Sequence, residues 1–296
     1  SRDEIRALGL RIRVDEERRV EFPIESLFAL PGDSVEIRAS DSVGEPLEMW
    51  DGEEEVHETG VPGRWVWVPD SQTGHTVIHL RHPGTNARVR LHAFTMVPAK
   101  EVVDGRLNGY KIGGYPSEPL NGDPIYRPPR GFVEVTEANA DVRVSPHFQL
   151  MHFPAKQPQG YPKYLVLRPA LLKKLEWVLE AMVDRGYPVQ SFYVMSGYRT
   201  PYYNVQILGN SRYSRHQWGG AADVFVDERP RNGMMDDLDG DGRVTLEDAR
   251  TIHAVVDSLE LDMGSTFPVG GLGLYAANSV RGPFVHMDVR GRPARW

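Results

Sequence analysis

The chain has 296 residues, a formal charge of −7 and no cysteine. That length allows two domains and a substantial core. The lack of cysteine excludes disulfides and thiolate zinc sites, and fits an exported protein as well as a cytosolic one. With an acidic balance and no basic patch interleaved with aromatics, nucleic acid is not an expected partner. No apolar run approaches the ~18–20 residues of a membrane helix, so no transmembrane segment is expected. The chain opens on Ser1-Arg-Asp-Glu without methionine, as it would after removal of an export signal.

Residues 1–97 read as a small all-β domain. Short alternating runs recur at Ser34–Arg38, Arg64–Val68, Thr76–Leu80 and Ala87–Ala93, with turn signals at Pro31-Gly-Asp33, Pro62-Gly63 and Pro83-Gly84 between them. A sandwich of immunoglobulin-like type is the expected architecture. Trp65 and Trp67 share one strand face and are expected in its core, the alternative being a stacking surface for sugar. His75, His79, His82 and His92 follow no metal-ligand spacing and read as ordinary strand histidines. The acidic run Asp51–Glu55 reads as a solvated turn.

Residues 98–144 form a Gly/Pro-rich connector, too long for a plain loop and expected to lie against the following domain. Tyr110, Tyr115 and Tyr126 are expected to pack there, with a substrate groove as the alternative. Pro169–Gly186 is the clearest helix. Leu171, Leu172, Leu175, Val178, Leu179, Met182 and Val183 form its stripe, Pro169 suits its first turn and Gly186 its C-terminal cap. Ser191–Ser196 then reads as a buried strand that delivers Arg199.

His216 and Asp223 flank a Gly219-Gly220 turn. Imidazole and carboxylate are good zinc ligands, and an open catalytic zinc site takes three protein ligands plus water. His286 supplies the third, on a strand whose alternation puts Phe284, His286, Asp288 and Arg290 on one face. Between the second and third ligands, residues 237–248 match an EF-hand calcium loop. Asp237, Asp239 and Asp241 hold positions one, three and five, and Gly242 makes the turn at six. The Arg243 carbonyl, Thr245 and Asp248 complete the series. Leu246–Leu259 is the expected exiting helix, with Ile252, Val255, Val256 and Leu259 inward. The glycines of Gly270–Tyr275 lack a following Lys-Ser/Thr and do not make a nucleotide loop; they are expected to let backbone approach the metal site.

Ser196-Gly-Tyr-Arg199, the run Ser214-Arg-His216-Gln-Trp-Gly219-Gly-Ala221-Ala-Asp223, and His286-Met-Asp288 together resemble the zinc D-Ala-D-Ala peptidase family. The resemblance covers roughly residues 145–296. It implies an α+β protein whose C-terminal zinc domain shares its fold with the Hedgehog signalling domain. It also implies a zinc peptidase cutting peptidoglycan stem peptides in the periplasm or outside the cell, with His216, Asp223 and His286 holding zinc. Arg199 would steer substrate or stabilise developing charge, and Ser214 would support the ligands. Many members carry Glu three residues before the last His; here that position is Pro283, and Asp288 is the expected general base, as in the family's His-x-Asp branch. The alternative is a zinc-containing module that binds cell wall or protein without hydrolysis. A hydrolase of other small peptides or amides is a third reading.

Overall fold

Alternating apolar residues between Arg11 and Val97 form strands that pair into two sheets. The computed structural model describes the chain apart from residues 1, 8, 16, 17, 52, 53, 56–58 and 86. One sheet runs Arg18–Val20, Arg11–Val14, Val35–Ser40, Arg64–Trp67, all antiparallel. The other runs Ile24–Ala29, Arg88–Thr95, Gly74–Arg81, Glu48–Asp51, Glu54–Glu55, with its first pair parallel. Ile12, Ile37 and Trp65 from the first sheet and Ile78, Leu80 and Leu91 from the second share one apolar core, so the sheets make a sandwich. Trp65 and Trp67 are 1% and 5% exposed and belong to that core. Asp51 and Glu54 face each other across a hairpin, while Gly52 and Glu53 of the acidic run lie outside the described residues. His75 stacks on His92, Nε2 to Nδ1 2.9 Å, and no third ligating side chain joins them among the described residues.

A second core is built mainly from residues after Val97, with Phe22 and Phe94 reaching into it from the sandwich strands. A three-stranded sheet, Val97–Pro98, Gly131–Val135 and Lys163–Leu165, leads into a five-stranded one. Its order is Tyr193–Ser196, Ala221–Phe225, Phe284–Asp288, Gly271–Tyr275, Ala294–Arg295, antiparallel except for the last pair. The protein is thus α+β, with two main helices, Pro169–Asp184 and Leu246–Met263, packed on each other. Among the described residues no helix is long and apolar enough to cross a membrane. Tyr110 is buried in this second core, and Tyr126 is buried against Tyr213 and Trp218, so both pack. Tyr115 packs there as well, its hydroxyl 2.8 Å from Tyr198 Oη.

The Pro169–Asp184 helix starts with proline at its first position, as the sequence predicts, and buries its stripe except for Val183, which is 51% exposed. The same helix buries two charges that periodicity alone assigns to solvent, Lys174 and Glu176. A buried charge needs partners. Glu176 accepts from Ser145 Oγ (2.6 Å) and from His147 N (2.8 Å). Lys174 Nζ donates to the Asp288 carbonyl (3.0 Å), with Glu260 3.4 Å away. Helix Leu246–Met263 buries Ile252, Val255, Val256 and Leu259, as expected. Thr245 and Asp248 cap its start reciprocally, an arrangement worth about 1 kcal/mol. The sandwich is tied to the second core by Lys173–Glu21 (2.9 Å), Arg2–Glu180 (2.5 Å) and Ser26 Oγ on the Val144 carbonyl (2.7 Å).

Candidate metal centre

Asp223 and His286 stand directly opposite each other on adjacent antiparallel strands, so their side chains leave the same face of the sheet. The intervening Ala222, Val224, Val285 and Met287 turn to the other face and are fully buried. His216 reaches the pair from a single 3-10 turn, Arg215–Trp218, which Gly219 ends with φ 62°. A Cβ on Gly219 would lie 2.1 Å from the Val166 carbonyl oxygen, so only glycine permits this turn. Gly197 is equally constrained, because its Cβ would meet Phe153 backbone at 2.9 Å.

These elements place His216 Nε2 3.2 Å from His286 Nδ1 and 3.3 Å from Asp223 Oδ1, with His286 Nδ1 2.8 Å from Asp223 Oδ1. The outer partner fixes one tautomer. His216 Nδ1 is 2.7 Å from the Gly197 carbonyl, which only accepts, so Nδ1 carries the proton and Nε2 offers a lone pair. His286 has a carboxylate oxygen at each nitrogen, Asp223 Oδ1 2.8 Å from Nδ1 and Asp288 Oδ2 3.3 Å from Nε2, so a metal taking Nδ1 would leave its proton on Nε2, facing Asp288. Two imidazole nitrogens and a carboxylate oxygen thus converge on one point. Tetrahedral coordination at ~2.0–2.1 Å places ligand atoms about 3.3 Å apart, close to these separations, so the donor set fits zinc.

The surroundings hold the ligands in place. Burial disfavours charge on Asp223, but His216 and His286 more than compensate and hold its carboxyl well below the usual range. Burial lowers the pKa of His216. For His286 burial acts the same way, yet hydrogen bonds with Asp223 and Asp288 outweigh it and raise the pKa above 6.5. Arg199 joins the cluster, but at the outer oxygen of Asp223 through Nη2, while its Nε donates to Ser196 Oγ (2.7 Å).

Asp288 does not face the ligand cluster. It shares the strand face with His286, but its fully buried carboxylate stands behind the ring, where it accepts from Gly271 N (2.8 Å) and from Arg290 Nη2 (2.5 Å). The carboxylate expected to act as base is thus turned to the ring nitrogen remote from the cluster, where it can orient His286. The glycines beside it allow backbone to approach Asp288 and not the ligand cluster itself. A Cβ on Gly270 would lie 1.9 Å from the Asp288 carbonyl oxygen, and one on Gly271 would lie 2.5 Å from Oδ2. Ser214, expected to support the ligands, immediately precedes the 3-10 turn that carries His216, its carbonyl accepting from Gln217 N (3.0 Å). The supporting groups are Gly197, Asp288 and Arg199.

Asp227 and Glu228, the other carboxylates near in sequence, are engaged elsewhere. Asp227 accepts from the backbone of Asn232 and Gly233, and Glu228 from Gln190, Ser191 and Arg231. Trp296, which sequence reasoning missed, lies against His286 with ring centroids 5.2 Å apart, and its Nε1 donates to Tyr275 Oη at 2.6 Å. No spacing rule points to it, because the strand Ala294–Arg295 that positions it pairs in parallel with a segment over twenty residues earlier.

In the 237–248 loop, carboxylate oxygens of Asp237, Asp239 and Asp248 gather within 4.8 Å of one another. Asp241 lies outside that group, its Oδ1 accepting from Arg243 N at 2.8 Å. A backbone hydrogen bond from Asp241 favours charge on Asp239, but repulsion from Asp241, Asp248 and Asp237 prevails and raises its pKa.

Comparison of the chain with protein-family models, with curated proteins and with solved structures gives no match.

Proposed function

We propose that the chain is a zinc-dependent peptidase that hydrolyses peptide bonds in peptidoglycan stem peptides, as a carboxypeptidase or an endopeptidase. The observation that carries this reading is the convergence of His216 Nε2, Asp223 Oδ1 and His286 Nδ1 at separations of 2.8–3.3 Å. Zinc bound there would supply an activated water of pKa near ~7 and a Lewis acid for the scissile carbonyl. The Gly197 carbonyl keeps His216 in the ligating tautomer, and Asp288 would hold the Nε2 proton of His286 once a metal takes Nδ1. Arg199 neutralises the outer oxygen of Asp223 and would stabilise charge developing on the scissile carbonyl. Peptidoglycan as substrate rests on the resemblance of the motifs. The same reading takes the C-terminal region as Hedgehog-like, the sandwich as immunoglobulin-like and the location as the bacterial periplasm or exterior. Calcium is proposed for the 237–248 loop, where three crowded carboxylates meet a capped helix start.

One observation favours a second reading, a zinc-holding module that binds cell wall or protein without hydrolysis. Pro283 cannot accept a proton, and Asp288 is committed to His286 and Arg290. Incubating the protein with purified muropeptides, with and without a chelator, separates the two. Chelator-sensitive products identified by mass support the peptidase. Stoichiometric zinc without products supports the binding module.

A further inference from the structure

Strand Tyr193–Ser196 is the first in the order of the five-stranded sheet, so its outer edge has no strand partner among the described residues. Along that edge lies a groove of about 870 Å³, lined by Tyr193 and Val194 on one side and by His152, Ala155 and Lys156 on another. This is at the upper end of the ~300–1,000 Å³ typical of small-ligand sites. Its position relative to the metal centre follows from register. Tyr193 is opposite Phe225, two residues along the strand from Asp223, so the Tyr193 side chain leaves the sheet on the face that carries Asp223. Its wall also touches the backbone that holds His216, since the Phe153 carbonyl accepts from Tyr198 N at 2.8 Å, beside Gly197.

The charge of the groove runs against that of the protein. Its two carboxylates are occupied: Glu228 by Arg231, and Asp227 by backbone N–H groups. Lys156 lies over the Tyr193 ring at 5.6 Å, and Lys163 Nζ is 3.3 Å from the Gln157 carbonyl. Neither lysine has a carboxylate partner among the described residues. Two uncompensated ammonium groups beside an open strand edge, in a chain of net charge −7, select for an anion carried on an extended backbone.

We propose that this groove binds an extended peptide bearing a carboxylate, with its backbone paired to the free edge of Tyr193–Ser196 and its carboxylate held by Lys156 and Lys163. Strand addition supplies affinity through main-chain hydrogen bonds, and the lysines supply selectivity. That the peptide runs on to the His216–Asp223–His286 cluster rests on the peptidase reading; the binding itself does not.

The test uses the full chain carrying His216→Ala, in chelator, so that binding is measured without turnover or zinc. Two probes are titrated calorimetrically, both with an amidated C-terminus: the synthetic peptide L-Ala-γ-D-Glu-L-Lys-D-Ala-D-Ala with a free α-carboxylate on glutamate, and the same peptide with that carboxylate amidated too. The free acid is expected to bind at least tenfold more tightly, and Lys156→Glu with Lys163→Glu to remove that advantage. Amide exchange at Tyr193–Ser196 is expected to slow on binding. No binding, equal affinity for the two peptides in the parent, an unchanged preference in the lysine variant, or unaltered exchange at the strand overturns the proposal. None of these outcomes bears on the peptidase, which is scored separately by chelator-sensitive cleavage in the wild type.

Discussion

Asp288 Oδ2 lies 3.3 Å from His286 Nε2, on the opposite side of the imidazole from the nitrogen that faces Asp223 and His216. This makes Asp288 a positioning residue. Asp288→Asn is expected to weaken zinc affinity about 10–100-fold, with turnover per bound zinc little changed. Chelator competition together with zinc-saturated rates measures both. Retained zinc affinity with turnover down ~10²–10⁴-fold would restore it as the base.

Metal analysis of purified protein should give about one zinc per chain after calcium is removed, and His216→Ala should lose it. The affinity should also depend on pH in a stated direction. Hydrogen bonds with Asp223 and Asp288 overcome burial and raise the His286 pKa above 6.5, so a proton competes with metal at Nδ1. Metal-free protein draws stability from this group that is complete below ~6.5 and fades as pH rises through the raised value. Zinc-dependent stabilisation runs the other way. The rise in Tm on adding zinc should therefore grow from pH 6 to pH 8, and a gain that shrinks over that range would count against His286 as a ligand.

Calcium added after chelator treatment should raise Tm, since a ligand that binds only the folded state stabilises it. Asp239→Asn should abolish that shift and leave calcium-free stability nearly intact, because Asp239 is exposed. Asp248→Ala should differ, destabilising the protein even without calcium by about 1–3 kcal/mol. Its carboxylate accepts from Leu238 N (2.7 Å) and Thr245 N (2.6 Å) inside the fold. A calcium response in Asp239→Asn equal to that of the wild type would remove the loop as the site.

Burial lowers the Lys174 ammonium to about 8, against the pull of Glu260 and Asp288. Between pH 8 and 10 the unfolded chain binds more protons at this lysine than the folded one, so it makes stability rise with pH. Lys174→Met should lack that slope. Denaturant melts of both proteins across the interval measure it; parallel pH profiles would show that Lys174 ionises normally.

Much of this arrangement is legible in the sequence where local periodicity sets it. The apolar stripe of Pro169–Asp184, the inward residues of Leu246–Met263 and the paired tryptophans of Arg64–Trp67 fall where their spacing puts them. His216, Asp223 and His286 meet because a glycine turn and two strands leave few other directions for them. What alternation gives is a face, not a rotamer. It places Asp288 beside His286 but does not say that Arg290 and Gly271 draw its carboxylate behind the ring. The roles of Gly197, Lys174 and Trp296 depend on contacts across 19, 114 and 21 residues, beyond the reach of any spacing rule.

Lys173 and Lys174 are neighbours in one helix, yet they serve opposite ends of the molecule. Lys173 holds Glu21 in the sandwich at 2.9 Å, and Lys174 holds the Asp288 carbonyl at 3.0 Å, in the strand that bears His286. One turn of one helix thus both anchors the sandwich and props the strand that carries His286, so replacing Lys173 would loosen the first contact and replacing Lys174 the second.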